Sequence, residues 1–174
     1  NGSKHSVGNS SRWLTTGELY HRRQRGDLWY GTNNGISLQD SKTGKWRSFL
    51  STFENVQNSK NHIFTTLCEV SPGIIWAGGY FSGLYQIDKR TSKTTYFTPA
   101  SYAHESIRPD KYIRDIRKDS RGYVWSGGYY NLKRINVQTK DIRLYHGLHS
   151  VTAIIEKDDK SMWIGTEQAC SSWI

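Results

Sequence analysis

A tryptophan flanked by glycines recurs along this chain at nearly regular intervals. The copies are, in chain order, "GDLWYG" at 26–31, "GIIWAG" at 73–78, "GYVWSG" at 122–127 and the less complete "KSMWIG" at 160–165. Downstream of the first three copies, the apolar residues Ile36, Leu84 and Leu132 follow one another at intervals of 48 residues. A period of this length is typical of β-propellers and related arrays, in which one small structural unit is repeated and stacked.

Each unit contains four short segments with the composition of β-strands. In the second unit these segments read "HIFTTLCEV", "IIWAGG", "GLYQID" and "KTTYFT". A residue whose side-chain oxygen can bond nearby backbone N–H groups, Asp40, Asp88 or Asn136, is predicted to close the third segment onto the fourth. The chain has 13% aromatic residues and one Met, which also favours strands. We therefore predict an all-β fold, a partial β-propeller of about three and a half four-stranded antiparallel blades.

The repeat also predicts how the chain is organised. Residues 1–11 are predicted to be a flexible polar leader, and residues 12–174 are predicted to form the propeller segment. The predicted blades span about 13–50, 61–98 and 111–146, with a half blade at 150–174, because the fourth copy lacks the Gly-Leu strand of the other units. In this interpretation the Trp fills the wedge between neighbouring blades, and the Gly two residues later leaves room for the neighbour's side chains.

Charge and hydropathy narrow the classes of partner. The formal net charge of +9 favours anionic partners in general. The basic segment "HRRQR" at 21–25 lies, in this register, on a turn opposite the aromatic loops, so charge and stacking surfaces do not converge and no nucleic-acid partner is predicted. The sequence has no apolar run of about 18 residues, so no membrane-spanning segment is predicted in it.

Motifs for metal binding and catalysis are weak or missing. Cys68 and Cys170 are far apart and outside any CxxC pattern, so neither a disulfide framework nor a zinc site is predicted, and Cys68 is predicted to be a buried thiol. His146 and His149 have a spacing seen in metal sites but no Cys or carboxylate close by. Phosphate-binding loops and nucleophile elbows are also missing. We predict no metal, no cofactor, no catalytic residue and no enzymatic activity.

The units resemble the two-component regulator propeller repeat. "GDLWYGTNNGISLQD" and "SMWIGT" match its pattern of Gly, Leu-Trp-Ile-Gly-Thr, Gly-Leu and an Asp turn, and the resemblance covers roughly residues 17–168. In that family the repeats form the extracytoplasmic sensor region of hybrid histidine kinases, which detect glycan fragments in polysaccharide-degrading gut bacteria. The resemblance implies a non-enzymatic sensor for two-component signal transduction, located in the periplasm or on the exterior of the cell envelope.

Two kinds of loop are expected to emerge on one face of the propeller. They are the loops from second to third strands, such as "GGYFSG" and "GGYYN", and the long loops at 51–62 and 98–112 that precede first strands. Aromatic rings suit stacking on a sugar, while polar and charged side chains bond its hydroxyl, carboxylate or sulfate groups. The predicted ligand-binding residues are Asn33, Asn34, Lys60, His62, Tyr80, Phe81, Arg108, Lys111, Arg114, Tyr129, Tyr130 and His149.

The predicted partner is therefore an oligosaccharide, and acidic oligosaccharides are included in the prediction. Two other functions stay open on the sequence. They are a protein-docking scaffold and a propeller lyase, although no acid/base pair can be named for a lyase. The half blade would leave unpaired sheet edges and an exposed blade face. Three resolutions are open on the sequence: self-association of two chains that completes a propeller, completion of the fourth blade by the N-terminal segment, or further residues after Ile174.

Overall fold

The computed structural model describes residues 20–22, 26–50, 63–97, 112–148, 150–168 and 170–173, with the first and last of these segments described by their backbone alone. Strands are the regular secondary structure of these residues, and they contain no helix. The described ranges accordingly provide no helix with the length and apolar character needed to cross a membrane.

The strands form four successive sheets. The first contains β1 (Tyr20–Arg22), β2 (Leu28–Thr32), β3 (Gly35–Gln39) and β4 (Trp46–Phe49). The second contains β5 (Ile63–Ser71), β6 (Ile74–Tyr80), β7 (Gly83–Asp88) and β8 (Thr94–Tyr96). The third contains β9 (Ile113–Lys118), β10 (Tyr123–Gly128), β11 (Leu132–Asn136) and β12 (Ile142–Tyr145). The fourth contains β13 (Val151–Glu156), β14 (Met162–Thr166) and β15 (Cys170–Trp173).

Every sheet is an antiparallel meander in which each strand pairs with the next strand in sequence. This is the up-and-down connectivity of a propeller blade, and it confirms the predicted all-β fold and its four-stranded repeat. We call the edge of each sheet at which the second strand turns into the third the upper edge. The turns that join the third strand to the fourth lie at the opposite, lower edge.

The fourth sheet contains one more strand than the sequence predicted. The sequence pattern ended this unit after "MWIGT", yet Cys170–Trp173 pairs with β14, so that Met162 lies opposite Trp173 and Gly165 opposite Cys170. The backbone N–H and C=O groups of β14 pair with a neighbouring strand whatever its side chains are. A third strand can therefore form without the Gly-Leu signature found in the other units.

Clusters of buried apolar side chains hold neighbouring sheets together. The first and second sheets share Trp29, Ile36, Leu38, Phe49, Phe64, Leu67, Ile75, Ala77 and Ile87. The second and third share Cys68, Val70, Trp76, Leu84, Ile113, Ile116, Val124 and Ile135. The third and fourth share Trp125, Leu132, Leu148, Val151, Ile154, Met162 and Ile164. Removing this apolar surface from water is the main stabilising term of the stack, because a single sheet cannot bury both of its faces.

The repeated tryptophans lie in these interfaces, as the sequence predicted. Trp29, Trp76 and Trp125 are buried, and each packs on the sheet that follows its own in the chain. Each indole is also backed by an aromatic ring from near the end of its own sheet. For Trp29 this ring belongs to Phe49, with ring centroids 5.5 Å apart, and for Trp125 it belongs to Tyr145, at 5.4 Å.

The glycine two residues after each Trp makes room for the neighbouring sheet. A Cβ atom on Gly78 would lie 2.5 Å from Cγ2 of Ile113, which is the first residue of β9. A Cβ atom on Gly127 would clash in the same way with Val151, the first residue of β13. The predicted packing role of these glycines is confirmed, since any side chain here would push the two sheets apart.

The outward face of the fourth sheet is exposed in the described part of the chain. Trp163, which corresponds in the repeat to Trp29, Trp76 and Trp125, is 39% exposed. The exposed Ile155 lies directly opposite it on β13. The nearest atom to a Cβ placed on Gly165 is Oγ1 of Thr152 in the same sheet, at 3.4 Å. The same pattern of residues is therefore covered by a neighbour in the first three sheets and open in the fourth.

Short side chains close the lower-edge turns in the predicted way. The carboxylates of Asp40 and Asp88 and the amide oxygen of Asn136 each accept the backbone N–H groups two and three residues later, at 2.8 to 3.3 Å. These hydrogen bonds satisfy backbone donors that the strands leave unpaired. They fix the return of each third strand into the fourth.

Asp119 supplies an additional anchor for the indole of the third sheet. Its buried carboxylate accepts the N–H groups of Arg121 and Tyr123, at 3.0 and 2.8 Å, and the indole N–H of Trp125, at 2.9 Å. The indole N–H of Trp76 is buried and has no hydrogen-bond partner among the described residues. The position six residues before this Trp holds Val rather than Asp, which accounts for the difference.

Cys68 is a buried cysteine without a disulfide, which confirms the sequence prediction. Burial raises the pKa of its thiol above the ordinary value. Across the ranges that the structure describes, no three His, Cys, Asp or Glu side chains come together as candidate metal ligands.

Lys89 joins two carboxylates of the neighbouring sheet at the lower edge. Its Nζ contacts Asp27 and lies 3.1 Å from Oδ2 of Asp40. Hydrogen bonds from this lysine and from backbone N–H groups lower the pKa of Asp40 to about 2. Burial by itself would raise the pKa of Asp27, but hydrogen bonds from Lys89 and Ser41 outweigh it, and the pKa is lowered.

We expect the position of each Trp to determine the cost of its removal. Trp125→Ala should lower the free energy of unfolding by about 3–5 kcal/mol, because it leaves a cavity in a closed interface. Trp163→Ala removes the same side chain from an open face and should cost about 1 kcal/mol. Urea unfolding followed by circular dichroism measures both values. Equal costs for the two variants would contradict the distinction between the covered and open faces.

The Lys89 bridge should make stability depend on acid pH. Because the pKa values of Asp27 and Asp40 are lowered on folding, their contribution is complete above about pH 4 and is lost as the pH falls toward 2. Lys89→Met should flatten this part of the pH profile, as measured by urea unfolding at several pH values. Lys42→Met removes an exposed lysine from the β3–β4 turn and should leave the slope unchanged. A flattening shared by both variants would argue against the bridge.

Candidate functional site

Five aromatic residues form a continuous surface on the upper edges of the second and third sheets. We call this group, Tyr80, Phe81, Tyr112, Tyr129 and Tyr130, the aromatic cluster. The ring centroid of Tyr112 lies 4.8 Å from that of Phe81 and 6.3 Å from those of Tyr80 and Tyr129. Tyr130 joins the cluster through Tyr129. The centroids of these two rings are 4.9 Å apart, and the rings are nearly perpendicular. The two aromatic pairs predicted from the sequence thus become one surface through Tyr112.

The strand connections explain why these rings meet. β6 ends at Tyr80, and the two-residue turn to β7 places Phe81 at the tip of the upper edge. β10 ends one residue before Tyr129, so this ring and its neighbour Tyr130 occupy the matching turn of the third sheet. An isolated antiparallel bridge pairs Tyr80 with Tyr112, just before β9 begins. The stacking of the two sheets therefore brings three separate chain segments together.

Tyr112 is not among the ligand-binding residues predicted from the sequence, although the repeat contains a signal for it. Tyr112 stands thirteen residues before Trp125, and in the repeat it corresponds to Ile63, which stands thirteen residues before Trp76. This correspondence places Tyr112 at the start of a first strand, beside the upper turn of the preceding sheet. The repeat alone could not reveal that this turn would carry aromatic rings.

The cluster exposes aromatic surface to solvent at the upper edge. Phe81 and Tyr129 are 56% and 46% exposed, whereas the repeated Trp29, Trp76 and Trp125 are buried. Phe81 also has a backbone φ of 61°, a left-handed conformation that bulky residues rarely adopt. Such strain tends to persist at functional sites. Exposure and strain at the same residue mark this turn as a candidate binding surface.

A chain of backbone hydrogen bonds supports the cluster and extends it to the fourth sheet. The N–H of Tyr129 donates to the carbonyl of Tyr112 at 3.1 Å, and the N–H of Ser150 donates to the carbonyl of Tyr129 at 2.9 Å. The N–H of Glu167 then donates to the carbonyl of Ser150 at 3.2 Å. The upper edges of the third and fourth sheets are therefore joined by their main chains.

Arg114 forms an ion pair that joins the third sheet to the fourth. The residue is two positions after Tyr112, and its Nη1 contacts Oε1 of Glu167, in the turn after β14. The hydrogen bond and charge of Arg114 lower the pKa of Glu167, so the carboxylate is ionised at neutral pH. The sequence predicted Arg114 as a site residue but did not identify its partner.

Two of the other predicted site residues lie in the first sheet, and the remaining five are outside the residues that the structure describes. Asn33 and Asn34 are exposed in the β2–β3 turn, where the N–H of Asn34 donates to Oγ1 of Thr32 at 3.0 Å. This is the upper-edge turn of the first sheet, which corresponds to the turn carrying Phe81. The residues outside the described ranges are Lys60, His62, Arg108, Lys111 and His149.

The lower edge has a different character. A cleft of about 600 Å³ between the first and second sheets is lined partly by Asp40, Arg47, Asp88 and Lys89. The ion pairs of Lys89 described above neutralise part of this charge within the protein. The aromatic cluster is therefore the stronger candidate for contact with an external ligand.

Comparison with known proteins gives structural matches but no match in sequence. No protein family profile matches this chain, and no curated protein is detectably similar to it. The extracellular domain named as that of a hybrid two-component system, BT3049 from B. thetaiotaomicron, has a TM-score of 0.65 and 22% identity, over 86% of this chain and 19% of that one. The corresponding domain of BT4673 from the same organism has a TM-score of 0.61 and 19% identity, over 88% and 23% of the two chains.

A third similar structure is the WD40 β-propeller domain of Doa1. Its TM-score is 0.61 at 12% identity, over 85% of this chain and 46% of that one. At such identities the likeness establishes the fold, which is a propeller-type stack of antiparallel sheets. The chain spans about a fifth to a quarter of the two extracellular domains. Extracellular domains of two-component systems are thus among its structural neighbours, as the resemblance in sequence implied.

The strain at Phe81 can be measured by comparing two truncations of the same ring. Phe81→Gly and Phe81→Ala both remove the ring, but Ala keeps the cost of the left-handed backbone conformation. We expect Phe81→Gly to be the more stable variant by about 1 kcal/mol in urea unfolding. Equal stability of the two variants would show that the turn is unstrained.

Proposed function

We propose that this chain is a non-enzymatic ligand-binding segment of an extracellular sensor in a two-component system, and that it binds oligosaccharide through the aromatic cluster. The observation that carries the proposal is the contact of exposed rings from two sheets through Tyr112. A surface of this kind offers several stacking positions side by side, and an oligosaccharide presents several sugar rings in a row.

The chemistry of the cluster suits sugars better than other small ligands. Aromatic faces stack on the apolar C–H face of a pyranose, and the phenolic hydroxyls of Tyr129 and Tyr130 can bond to sugar hydroxyls. These two residues and Phe81 are among the exposed large side chains of the described chain. Apolar and aromatic side chains with a few polar groups are the usual composition of a site that binds and orients a small ligand.

The position of the cluster gives a route from binding to signalling. Tyr80 and Phe81 belong to the second sheet, whereas Tyr112, Tyr129 and Tyr130 belong to the third. A ligand that touches both groups bridges two blades and favours one arrangement of them over others. A difference in affinity between two arrangements is what any ligand needs to shift an equilibrium.

The structural neighbours support the sensor part of the proposal. Two of them are extracellular domains of two-component systems, and they match most of this chain in fold. A location outside the cytoplasm, in the periplasm or at the cell surface, follows for this chain if it shares their role. The signalling output would then belong to other domains of such a protein.

Binding to a glycan array, followed by calorimetry with the glycans retained, tests the proposal. Phe81→Gly and Tyr129→Ala should each weaken binding by roughly tenfold, because each removes one stacking ring. Trp46→Ala is the matched control, since it removes an equally exposed ring from β4 of the first sheet. It should leave the affinity unchanged. If the purified chain retains no glycan, or if the three variants lose affinity equally, the proposal is wrong.

A further inference from the structure

The ion pair between Arg114 and Glu167 lies on the same upper edge as the aromatic cluster. Arg114 enters β9 two residues after Tyr112, and Glu167 occupies the turn of the fourth sheet that corresponds to the turns carrying Phe81 and Tyr129. The backbone hydrogen bonds from Tyr112 through Tyr129 and Ser150 end at the N–H of Glu167. The pair therefore lies on the same upper edge as the cluster, on the side of the fourth sheet.

The protein itself compensates the charge of this arginine. Nη1 of Arg114 contacts the Glu167 carboxylate, and the arginine side chain is 22% exposed. Its Nε is buried and has no hydrogen-bond partner among the described residues, which leaves the outer nitrogens of the guanidinium as the groups available for polar contacts. A side-chain hydrogen bond from Ser150 also reaches Glu167 and contributes to lowering its pKa.

The glutamate of the pair is the more accessible member. Its side chain is 51% exposed, so the carboxylate is presented to solvent and to any ligand on this edge. An anionic group that approaches Arg114 must lie close to this negative charge or displace it. Like charges at short range disfavour each other, and the loss is greatest where water is excluded.

We infer that Arg114 and Glu167, held together beside the aromatic cluster, form a hydroxyl-binding pair that selects uncharged oligosaccharides over acidic ones. A sugar hydroxyl can accept a hydrogen bond from the guanidinium and donate one to the carboxylate, so a neutral sugar uses both members of the pair. The carboxylate of a uronic acid or the sulfate of a sulfated sugar can accept a hydrogen bond from Arg114, but it has no proton to donate to Glu167 and is repelled by it. The inference rests on the proposed function, because it takes oligosaccharide as the ligand.

This assignment narrows what the sequence left open. The sequence predicted Arg114 as a group that could bond a carboxylate or a sulfate, and in the structure its nearest anion is a carboxylate of the same chain. The partner, Glu167, stands 53 positions later in the sequence and belongs to a different sheet. Glu167 is thus the residue that determines specificity, because its charge disfavours an anionic group at Arg114.

The test compares neutral oligosaccharides with their uronic-acid or sulfated counterparts, using the purified chain and calorimetry. The wild type should bind the acidic members at least tenfold more weakly than the neutral ones. Glu167→Gln keeps the size and polarity of the side chain, and it should remove most of this difference by strengthening the binding of acidic sugars. Asp158→Asn removes an exposed carboxylate from the β13–β14 turn at the lower edge and should leave the difference intact.

Tight binding of acidic glycans by the wild type would overturn the inference while leaving the proposed function in place. An unchanged preference in Glu167→Gln would also overturn it. The absence of binding to any glycan would instead overturn the proposed function.

An acetate titration, followed by NMR at the side chain of Arg114, tests the charge compensation without any sugar. Acetate should perturb this arginine in Glu167→Gln and leave it nearly unperturbed in the wild type. Equal responses in the two proteins would contradict the proposed role of Glu167.

Discussion

The packing of one indole from each of the first three sheets against the next sheet is the interaction on which this structure depends. Trp29, Trp76 and Trp125 are buried between sheets, and a glycine two residues later lets the neighbouring strand approach closely. Because the contact is large and has a fixed shape, it determines both the spacing and the orientation of adjacent sheets. The fourth sheet shows the same residues with this contact missing in the described part of the chain, and there Trp163 is exposed.

The candidate site is a consequence of this packing. Phe81 and Tyr129 are at turns of different sheets, about 48 residues apart in sequence, and they meet only because the sheets stack in register. The interface that brings Ile113 against Gly78 also places Tyr112 between the two turns. The rigid stack supports the exposed rings, so they can keep a fixed arrangement without being buried themselves. Such preorganisation lowers the entropic cost of binding a ligand.

The two edges of the sheets use charge in different ways. At the lower edge, Lys89 is bound to Asp27 and Asp40, and this contact contributes to the cohesion of the first and second sheets. At the upper edge, the contact of Arg114 with Glu167 joins the third and fourth sheets and remains partly open to solvent. A pair of this kind contributes little to stability while it is exposed. It can contribute to selectivity, because both members remain able to bond a ligand.

The sequence by itself determined the fold class, the four-stranded repeat, the turn residues and the place of the indoles, because each of these follows from a local pattern that recurs. It also identified four rings of the aromatic cluster, since they stand at fixed positions in the repeat. It could not determine that Tyr112 joins them, that Glu167 compensates Arg114, or that Cys170–Trp173 adds a strand to β14. Those features depend on contacts between segments distant in sequence, and such contacts are decided when the sheets stack, not by the pattern within any one unit.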